Sequence, residues 1–304
     1  MRPPLHVASR LPPRPAWALV GALILVGLVV AGCSGQPSAY KYDWSIFWKS
    51  VTGNEPGVPN GLFLTVTISV LSQLIGVVLG VFGALGRLAR LRVFRWLANL
   101  YVWAFRGTPL LVQLMFFYYG LLVTKLYGWP DLVVGPLTIP GVIQAGIFAL
   151  GVNEGAYMTE IIRAGIISVD PGQMEAAKSL GMTYGRAMRR IVLPQAARVI
   201  VPPLGNEFNN MLKTTTLLVI LAVPELFVTF ENLNGSGSTS FHPFELFLAA
   251  AVLYLVLTTI WSIIQGWIER RLARGAAGGE VSSGPSLGER LMGFRLGSSN
   301  TGVR

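Results

Sequence analysis

The chain has 304 residues, of which 52% are hydrophobic and only 12% are charged, and its mean hydropathy is +0.57. Ordinary soluble domains are about 25% charged, so the composition excludes a soluble enzyme, a disordered chain and an ordinary nucleic-acid-binding protein. It predicts a polytopic membrane protein instead. The single cysteine, Cys33, excludes a disulfide framework, and two histidines, His6 and His242, argue against a zinc or haem centre.

Six stretches are long and apolar enough to predict membrane-spanning helices. In chain order they are Ala16–Gly32, Leu62–Gly86, Trp96–Thr124, Leu132–Asn153, Val199–Phe230 and Leu246–Ile268. The fourth helix is expected to continue past Glu154 to about Ile167. Charged residues interrupt two of the stretches, namely Arg106 in the third and Glu207, Lys213 and Glu225 in the fifth. The expected fold class is therefore all-α, with about six transmembrane helices.

The basic residues predict which side of the membrane each segment faces. If the N-terminus is cytoplasmic, the inner segments hold 20 of the 24 lysines and arginines, including every arginine. Basic residues concentrate in cytoplasmic segments, so both termini are expected in the cytoplasm. The net charge of +10 then acts as an orientation signal with affinity for anionic membrane lipid, and no nucleic-acid partner is needed to explain it.

The segments outside the apolar core carry weaker signals. We favour an uncleaved first helix, but Val30-Ala31-Gly32-Cys33 resembles a lipoprotein cleavage box, so removal of residues 1–32 and a lipidated Cys33 stay open. Ser34–Asn60 is expected to be an outer loop, with Trp44 and Trp48 at the membrane interface. Gly275–Arg304 is rich in Gly and Ser and is expected to be a disordered cytoplasmic tail.

A polar segment between the fourth and fifth predicted spans has the pattern of two short helices. Asp170 suits a helix N-cap and Pro171 the first helical position. Gly181 fits a left-handed stop, Thr183 is expected to cap the second helix, and Pro194 is expected to end it. This cytoplasmic loop comprises residues 168–195.

The first helix of this loop has two different faces. Met174, Ala177 and Gly181 share one face, whereas Glu175 and Lys178 lie on the other. A short amphipathic helix that presents small and apolar side chains to the cytoplasm is typical of a segment that docks into the groove of a partner.

The motif Glu175-Ala176-Ala177, followed by Gly181 and then Ile191-x-Leu193-Pro194, resembles the EAA loop of ABC-importer permeases. Further strings resemble the polar-amino-acid subfamily (histidine, glutamine, glutamate, arginine and opine type). They are Arg106-Gly-Thr-Pro-Leu-Leu-Val-Gln113, Glu160-x-x-Arg163-x-Gly165-Ile166, Gly172-Gln-x-Glu-Ala-Ala177, Leu193-Pro-Gln195, Pro202-Pro-Leu-Gly-Asn-Glu207 and Leu212-Lys-x-Thr-x-Leu217. The similarity covers about Gly61–Arg271. The chain departs from the family in its additional N-terminal helix, its Gly/Ser-rich tail and its Thr214-Thr215-Thr216 string.

The resemblance implies a type I ABC-importer permease fold in a bacterial cytoplasmic (inner) membrane, with five core helices and an extra N-terminal one. It divides the chain into an N-terminal stub, first helix and outer loop (1–58), a transmembrane domain with the EAA loop (59–272) and a tail (273–304). The implied partners are a second permease subunit, in a homo- or heterodimer, two ATP-binding cassette subunits, an extracytoplasmic solute-binding protein and a polar amino acid. ATP and magnesium would bind to the ATPase, and no cofactor to this chain. No lysine follows a glycine, so the chain has no Walker A loop.

The resemblance and the charge pattern together give two sets of candidate site residues. Those for ATPase coupling are Met174, Glu175, Ala176, Ala177, Leu180 and Gly181. Those for the substrate path are Asn153, Glu154, Tyr157, Asn206, Glu207, Asn209, Lys213, Thr214 and Thr215. A charge within a span costs about 2.5–3.5 kcal/mol on insertion scales, so such groups are expected to be functional or paired. The alternative is that a span ends early and its charge is hydrated at the interface.

For several other polar or aromatic residues we favour a structural role. Glu160 and Arg163 are expected to form a local pair, and Arg106-Gly-Thr-Pro109 an interfacial turn that breaks a long helix. Phe116–Tyr119 is expected to belong to an aromatic belt and His242 to a loop. Three arginines, Arg186, Arg189 and Arg190, are expected to face solvent or lipid, with ATPase contact as the alternative.

Two other classes of function compete with an importer subunit. An ion-coupled secondary amino-acid transporter would use Glu154 or Glu207 as a relay, but it has no use for a docking helix. An intramembrane enzyme is disfavoured because Gly-x-Ser-x-Gly, His-Glu-x-x-His and paired aspartates within spans are absent. We therefore expect ATP hydrolysis in a separate subunit. The sequence leaves open the amino acid, the type of dimer and the binding protein.

Overall fold

The computed structural model describes residues 40–235, 239 and 241–274. The described residues from Trp44 onward belong to one compact unit. Of the other unit, Met1–Asp43, only residues 40–43 are described, and they are not helical. The predicted first span, the lipoprotein-like box at Cys33 and the predicted tail after residue 274 lie outside the described residues.

The described unit is almost entirely helical. Its helices are α1 (Trp44–Val51), α2 (Val58–Leu88), α3 (Arg92–Gly107), α4 (Leu110–Val123, with a π-helical stretch at Phe116–Gly120), α5 (Gly141–Ile167), α6 (Pro171–Ser179), α7 (Tyr184–Ala187), α8 (Leu193–Thr214), α9 (Leu226–Gly235) and α10 (Pro243–Arg274). A π-helical stretch, Met188–Val192, joins α7 to α8, and a 3-10 stretch, Thr215–Leu221, follows α8. Two short antiparallel strands, β1 (Leu132–Val134) and β2 (Leu137–Ile139), precede α5.

Within the described residues, α2 and α10 are each long and apolar enough to cross a membrane. Two bent helix pairs raise the number of candidate spans to as many as four if each pair is one broken span. They are α3 with α4, bent by 106°, and Tyr184–Leu221 with α9, bent by 46°. These helices confirm the all-α polytopic class. The count of six stays a prediction, because the first predicted span is not described and α5 carries several polar and charged residues.

The third predicted span is a broken helix. Thr108 and Pro109 have extended backbone conformations between α3 and α4, because proline disfavours helical geometry at the preceding residue. The break leaves carbonyl groups without hydrogen-bond donors from the helix, and polar side chains donate to them instead. Gln113 Nε2 donates to the carbonyls of Phe105 (2.8 Å) and Thr108 (3.1 Å), and Asn153 Nδ2 donates to Phe105 as well (3.1 Å). The predicted helix-breaking turn is therefore confirmed.

The predicted start of the fourth span was wrong, because Leu132 to Ile139 form the β1–β2 hairpin rather than a helix. Gly135, with φ of +59°, provides the left-handed residue of the hairpin turn. Helix α5 begins at Gly141, whose amide donates to Asp131 Oδ1 at 2.8 Å. The helix then runs to Ile167, the end expected from the sequence.

The expectation that Pro194 ends a helix was also wrong. Pro194 occupies the first turn of α8, and the helical path continues from α7 through the π-helical stretch. Because the helical path is continuous here, Pro194 lacks one intrahelical amide hydrogen bond, and the regular hydrogen-bond pattern changes in the π-helical stretch directly before it.

The fifth predicted span is divided rather than continuous. The 3-10 stretch is followed by Ala222, which has φ of +52°. Glu225 is fully buried just beyond, and its carboxylate accepts hydrogen bonds from the Val228 amide (3.0 Å), Tyr254 Oη (2.8 Å) and Thr65 Oγ1 (3.2 Å). These bonds satisfy a buried carboxylate at the start of α9 and connect α9 to α2 and α10.

Helices α2 and α5 pack closely because glycines line their contact. A Cβ atom at Gly80 would lie 2.3 Å from Met158 Cβ, and one at Gly76 would lie 2.6 Å from Glu154 Cγ. Small residues at four-residue spacing allow helices to approach closely in membranes. This close contact fixes the face of α5 that carries Glu154.

Candidate functional site

A cavity of about 540 Å³ lies between α5, α8 and the turn that joins α3 to α4; we call it the α5–α8 groove. Its lining residues are Thr108, Pro109, Leu110, Leu150, Asn153, Glu154, Tyr157, Glu207, Asn210, Met211, Lys213 and Thr214. Six of the nine residues predicted for the substrate path line it, although they come from separate parts of the sequence. The sequence analysis missed Asn210, which lies one helical turn from both Glu207 and Lys213 and was identifiable from that spacing.

The polar residues of the groove lie at different distances from the EAA loop. Glu154 lies near the middle of α5, and Tyr157 lies one turn closer to the EAA loop. On α8, Lys213 lies six residues beyond Glu207, about 9 Å further from that loop. Glu154 is 6% exposed, and its Oε1 atom has no hydrogen-bond partner among the described residues. A buried carboxylate oxygen without a partner is costly, so this site favours a cationic group of a ligand.

Asn153 has a second role beside lining the groove. Its side-chain amide donates to Gln113 Oε1 at 2.9 Å and to the Phe105 carbonyl, so it helps to hold the α3–α4 turn. Because the bonded nitrogen already has these acceptors, Asn153 contributes to the shape of the groove through the turn.

Three predicted path residues lie outside the groove, because neighbouring residues of a helix point about 100° apart. Asn206 Oδ1 accepts a hydrogen bond from Gln265 Nε2 of α10 (3.2 Å), and Thr215 is fully buried. Asn209 Nδ2 donates to Ser262 Oγ (3.3 Å) and lines a second cavity of about 530 Å³ between α8 and α10. Their role in a substrate path stays a prediction.

An ionic cluster lies at the end of the groove nearest the EAA loop. The expected pair is confirmed, with Arg163 Nη2 3.0 Å from Glu160 Oε2. Arg87 of α2 also contacts Glu160, and Arg106 at the end of α3 has its Nη1 atom 3.8 Å from Oε1. The guanidinium carbon of Arg106 also lies 5.0 Å from the ring centroid of Tyr157. Only the tertiary fold reveals that three helices contribute to this cluster.

The ends of α6 in the EAA loop have the expected geometry. Asp170 Oδ1 accepts from the Gly172 amide (2.7 Å), and Gly181 has φ of +76°. The Met182 amide donates to the Ala177 carbonyl (3.0 Å) and the Gly181 amide to the Lys178 carbonyl (2.9 Å), a Schellman stop. Thr183 precedes α7, but its side chain makes no capping hydrogen bond, so that expectation was wrong.

The predicted outward face of α6 was wrong. Ala177 is 1% exposed and packs within this chain, because the loop folds back so that α6 contacts α7 and the π-helical stretch. Leu180 is 82% exposed, and Glu175 and Ala176 are exposed beside it, whereas Met174 is half-buried. Of the residues predicted for coupling, Glu175, Ala176 and Leu180 are therefore exposed side chains, and Ala177 is not.

Comparison with known proteins agrees with this architecture. Residues 76–274 match the family of binding-protein-dependent transport system inner membrane components. The chain is 36% identical to the arginine transport system permease protein of Corynebacterium glutamicum over 84% of this chain and 80% of that protein. It is 35% identical to the L-cystine transport system permease protein of Bacillus subtilis over 75% of this chain and 88% of the relative.

A solved structure of an amino acid ABC transporter with histidines has a TM-score of 0.65 and 37% identity to this chain. The match covers 76% of this chain and all of that one. The range matched by the family, residues 76–274, includes the α5–α8 groove and the EAA loop. The chain belongs to the family of binding-protein-dependent transport system inner membrane components and is a permease subunit of the amino-acid ABC transporter type.

Proposed function

We propose that this chain forms half of the transmembrane path of an ATP-driven importer for polar amino acids, and that the α5–α8 groove is its substrate site. The observation that carries the proposal is the groove itself, in which two carboxylates and one lysine of membrane helices line one cavity of about 540 Å³. Charged groups within a membrane are costly and are retained mainly where they serve transport.

The chemistry of the groove fits a free α-amino acid. Glu154 and Glu207 suit the ammonium group, and Lys213 suits the carboxylate. The amide of Asn210 and the hydroxyl groups of Thr108 and Thr214 offer uncharged hydrogen bonds. The relatives are named for arginine and cystine, and the similar solved structure contains histidines, so polar amino acids are the class to test first.

The partners follow from the family and from the exposed surface of the EAA loop. We infer a dimer with a second permease subunit, identical or different, two ATP-binding cassette subunits that receive Glu175, Ala176 and Leu180, and an extracytoplasmic binding protein. ATP and magnesium would bind to the ATPase. Buried Ala177 and the left-handed Gly181 would support this surface from within the loop. Both termini are proposed to face the cytoplasm.

Uptake into proteoliposomes tests this function. The permease would be purified with its partner ATPase and binding protein. Uptake of radiolabelled L-arginine and L-histidine would then be measured with ATP supplied on the ATPase side. We expect uptake that requires both ATP and the binding protein. Uptake driven by a proton or sodium gradient without the ATPase would overturn the proposal in favour of a secondary transporter, which the present findings do not favour.

A further inference from the structure

Arg106 is the third cation beside a single carboxylate. Both oxygens of Glu160 are already engaged, Oε1 by Arg87 and Oε2 by Arg163 at 3.0 and 3.2 Å. Arg106 Nη1 lies 3.8 Å from Oε1, beyond hydrogen-bonding distance, and the Arg106 side chain is 42% exposed. One negative charge therefore faces three positive charges, and the guanidinium of Arg106 is the least neutralised of the three.

The turn that carries Arg106 is held in place by side chains. Gln113 Nε2 donates to the Thr108 hydroxyl (2.7 Å) and to the carbonyls of Phe105 and Thr108, and Asn153 bonds Phe105 from α5. A binding group is most effective when the surrounding structure fixes it before the ligand arrives. Because four polar contacts hold the backbone on both sides of Arg106, the turn fixes the point from which the Arg106 side chain extends relative to α5.

Arg106 lies at one end of the α5–α8 groove. Its guanidinium carbon is 5.0 Å from the ring centroid of Tyr157, and Tyr157 and Thr108 both line the groove. Tyr157 follows Glu154 by one turn of α5, a rise of about 4.5 Å. The ammonium and carboxylate of an α-amino acid are attached to the same carbon atom, so two protein groups that lie within about one helical turn of each other can each contact one of them. Glu154 and the Arg106 guanidinium beside Tyr157 are two such groups.

The geometry points to Arg106 as the group that binds the α-carboxylate of the transported amino acid at the end of the groove nearest the EAA loop. The ammonium then lies at Glu154, whose Oε1 atom has no partner among the described residues. Lys213 occupies the opposite end and would hold the carboxylate on entry. This assignment rests on the proposed function, because it presumes that the groove carries an amino acid.

Binding measurements on the purified permease–ATPase complex in lipid nanodiscs test the assignment. Competition against radiolabelled L-histidine would compare L-histidine with L-histidinamide, which keeps the ammonium but lacks the carboxylate. We expect the complex to bind the free acid at least tenfold more tightly. In Arg106→Gln, the affinity for L-histidine should be within twofold of the affinity for L-histidinamide. Arg95→Gln, which removes an exposed arginine of the same helix, is the matched control and should keep the tenfold preference.

A second measurement on the unaltered complex covers the case in which Arg106→Gln fails to assemble. Phenylglyoxal labelling of Arg106, followed by mass spectrometry, should be slowed by L-histidine but not by L-histidinamide. Equal labelling with both compounds, or an Arg106→Gln complex that keeps the tenfold preference, would overturn the assignment alone. Failure of the ATP-dependent uptake assay would instead overturn the proposed function.

Discussion

Five charged side chains of the described helices and their junctions fall into two groups. Glu160 has arginine partners and Glu225 has three hydrogen-bond donors, so both are satisfied within the described residues. Glu154, Glu207 and Lys213 line the α5–α8 groove, and none of them has an ion-pair partner within 4 Å in the described part of the chain. The charges of this second group are therefore available to a ligand.

Neutral replacements in the groove should separate transport from assembly. Glu207→Gln and Lys213→Met each remove a charge that we assign to the substrate, and a hydrogen bond to a charged group contributes about 1.5–3 kcal/mol. Uptake at low substrate concentration should fall at least tenfold, since about 1.4 kcal/mol corresponds to a factor of ten. Co-purification of the ATPase should be unchanged. Glu231→Gln, an exposed position on α9, is the control. Normal uptake by both groove variants would show that these charges are structural.

Substitutions at two residues of the EAA loop should impair coupling to the ATPase for different reasons. Leu180 is 82% exposed, so Leu180→Ala should weaken attachment of the ATPase by the lost burial, about 2 kcal/mol, while the isolated permease keeps its thermal stability. Ala177→Asp places an unpaired charge at a 1% exposed position and should destabilise the loop itself.

Co-purification of the ATPase and thermal unfolding of the permease, measured on both variants, distinguish these effects. Leu126→Ala, an equally apolar and exposed position (75%) away from the EAA loop, is the control for Leu180→Ala. If Leu180→Ala retains full ATPase attachment and full ATPase stimulation by loaded binding protein, the surface assigned to docking is wrong.

At the scale of elements, the direction of the chain after α6 depends on one backbone conformation. Gly181 has φ of +76°, and no atom lies within 4 Å of where its Cβ would be, so a substitution meets backbone strain but no steric clash. Gly181→Val should cost about 1–2 kcal/mol and misdirect α7, which lowers coupled ATP hydrolysis even where the ATPase stays attached. Gly181→Asn should be tolerated, because asparagine adopts the left-handed conformation readily. Equal activities of the two variants would contradict this role.

Local sequence signals predicted some elements well and others poorly, for physical reasons. Asp170, Pro171 and Gly181 determine the ends of α6 through contacts within a few residues, so the sequence predicted those ends correctly. The start of α5 was missed because the apolar run from Leu132 fits a strand as well as a helix. The role of Pro194 was predicted wrongly because a π-helical stretch precedes it and continues the helix, and such a stretch has no simple sequence pattern.

In the candidate site, too, local sequence signals predicted some residues correctly and missed features that depend on the tertiary fold. Charges in apolar spans identified Glu154, Glu207 and Lys213 without a structure, because charge in a membrane is costly wherever it falls. The orientation of Ala177 was predicted wrongly, since it depends on how the loop folds back onto α7. The contact of Arg106 with Tyr157 joins α3 to α5, and no local pattern encodes such a contact between helices.

At the scale of the whole molecule, the arginine cluster bears on orientation in the membrane. Arg87 near the end of α2, Arg106 at the end of α3 and Arg163 near the end of α5 meet at one carboxylate, so these helix ends lie on the same side. The EAA loop follows α5 directly and shares that side. Basic residues favour the cytoplasm, and the proposed ATPase contact requires the same side, so we propose that this side faces the cytoplasm.

This orientation predicts where reporters will be active. A reporter fused after Arg274 should report the cytoplasm, because α10 ends in basic residues, and one inserted at exposed Asn54 between α1 and α2 should report the outside. Alkaline phosphatase and green fluorescent protein at both positions give opposite signals and control for expression. The reverse pattern would contradict the orientation, and with it the docking role of the EAA loop, because that loop could no longer reach a cytoplasmic ATPase. The intact mass of the purified protein is a separate test, because an uncleaved N-terminus would exclude a lipidated Cys33. Either result leaves the reporter prediction unchanged, since cleavage would remove only residues 1–32, which precede both reporter positions.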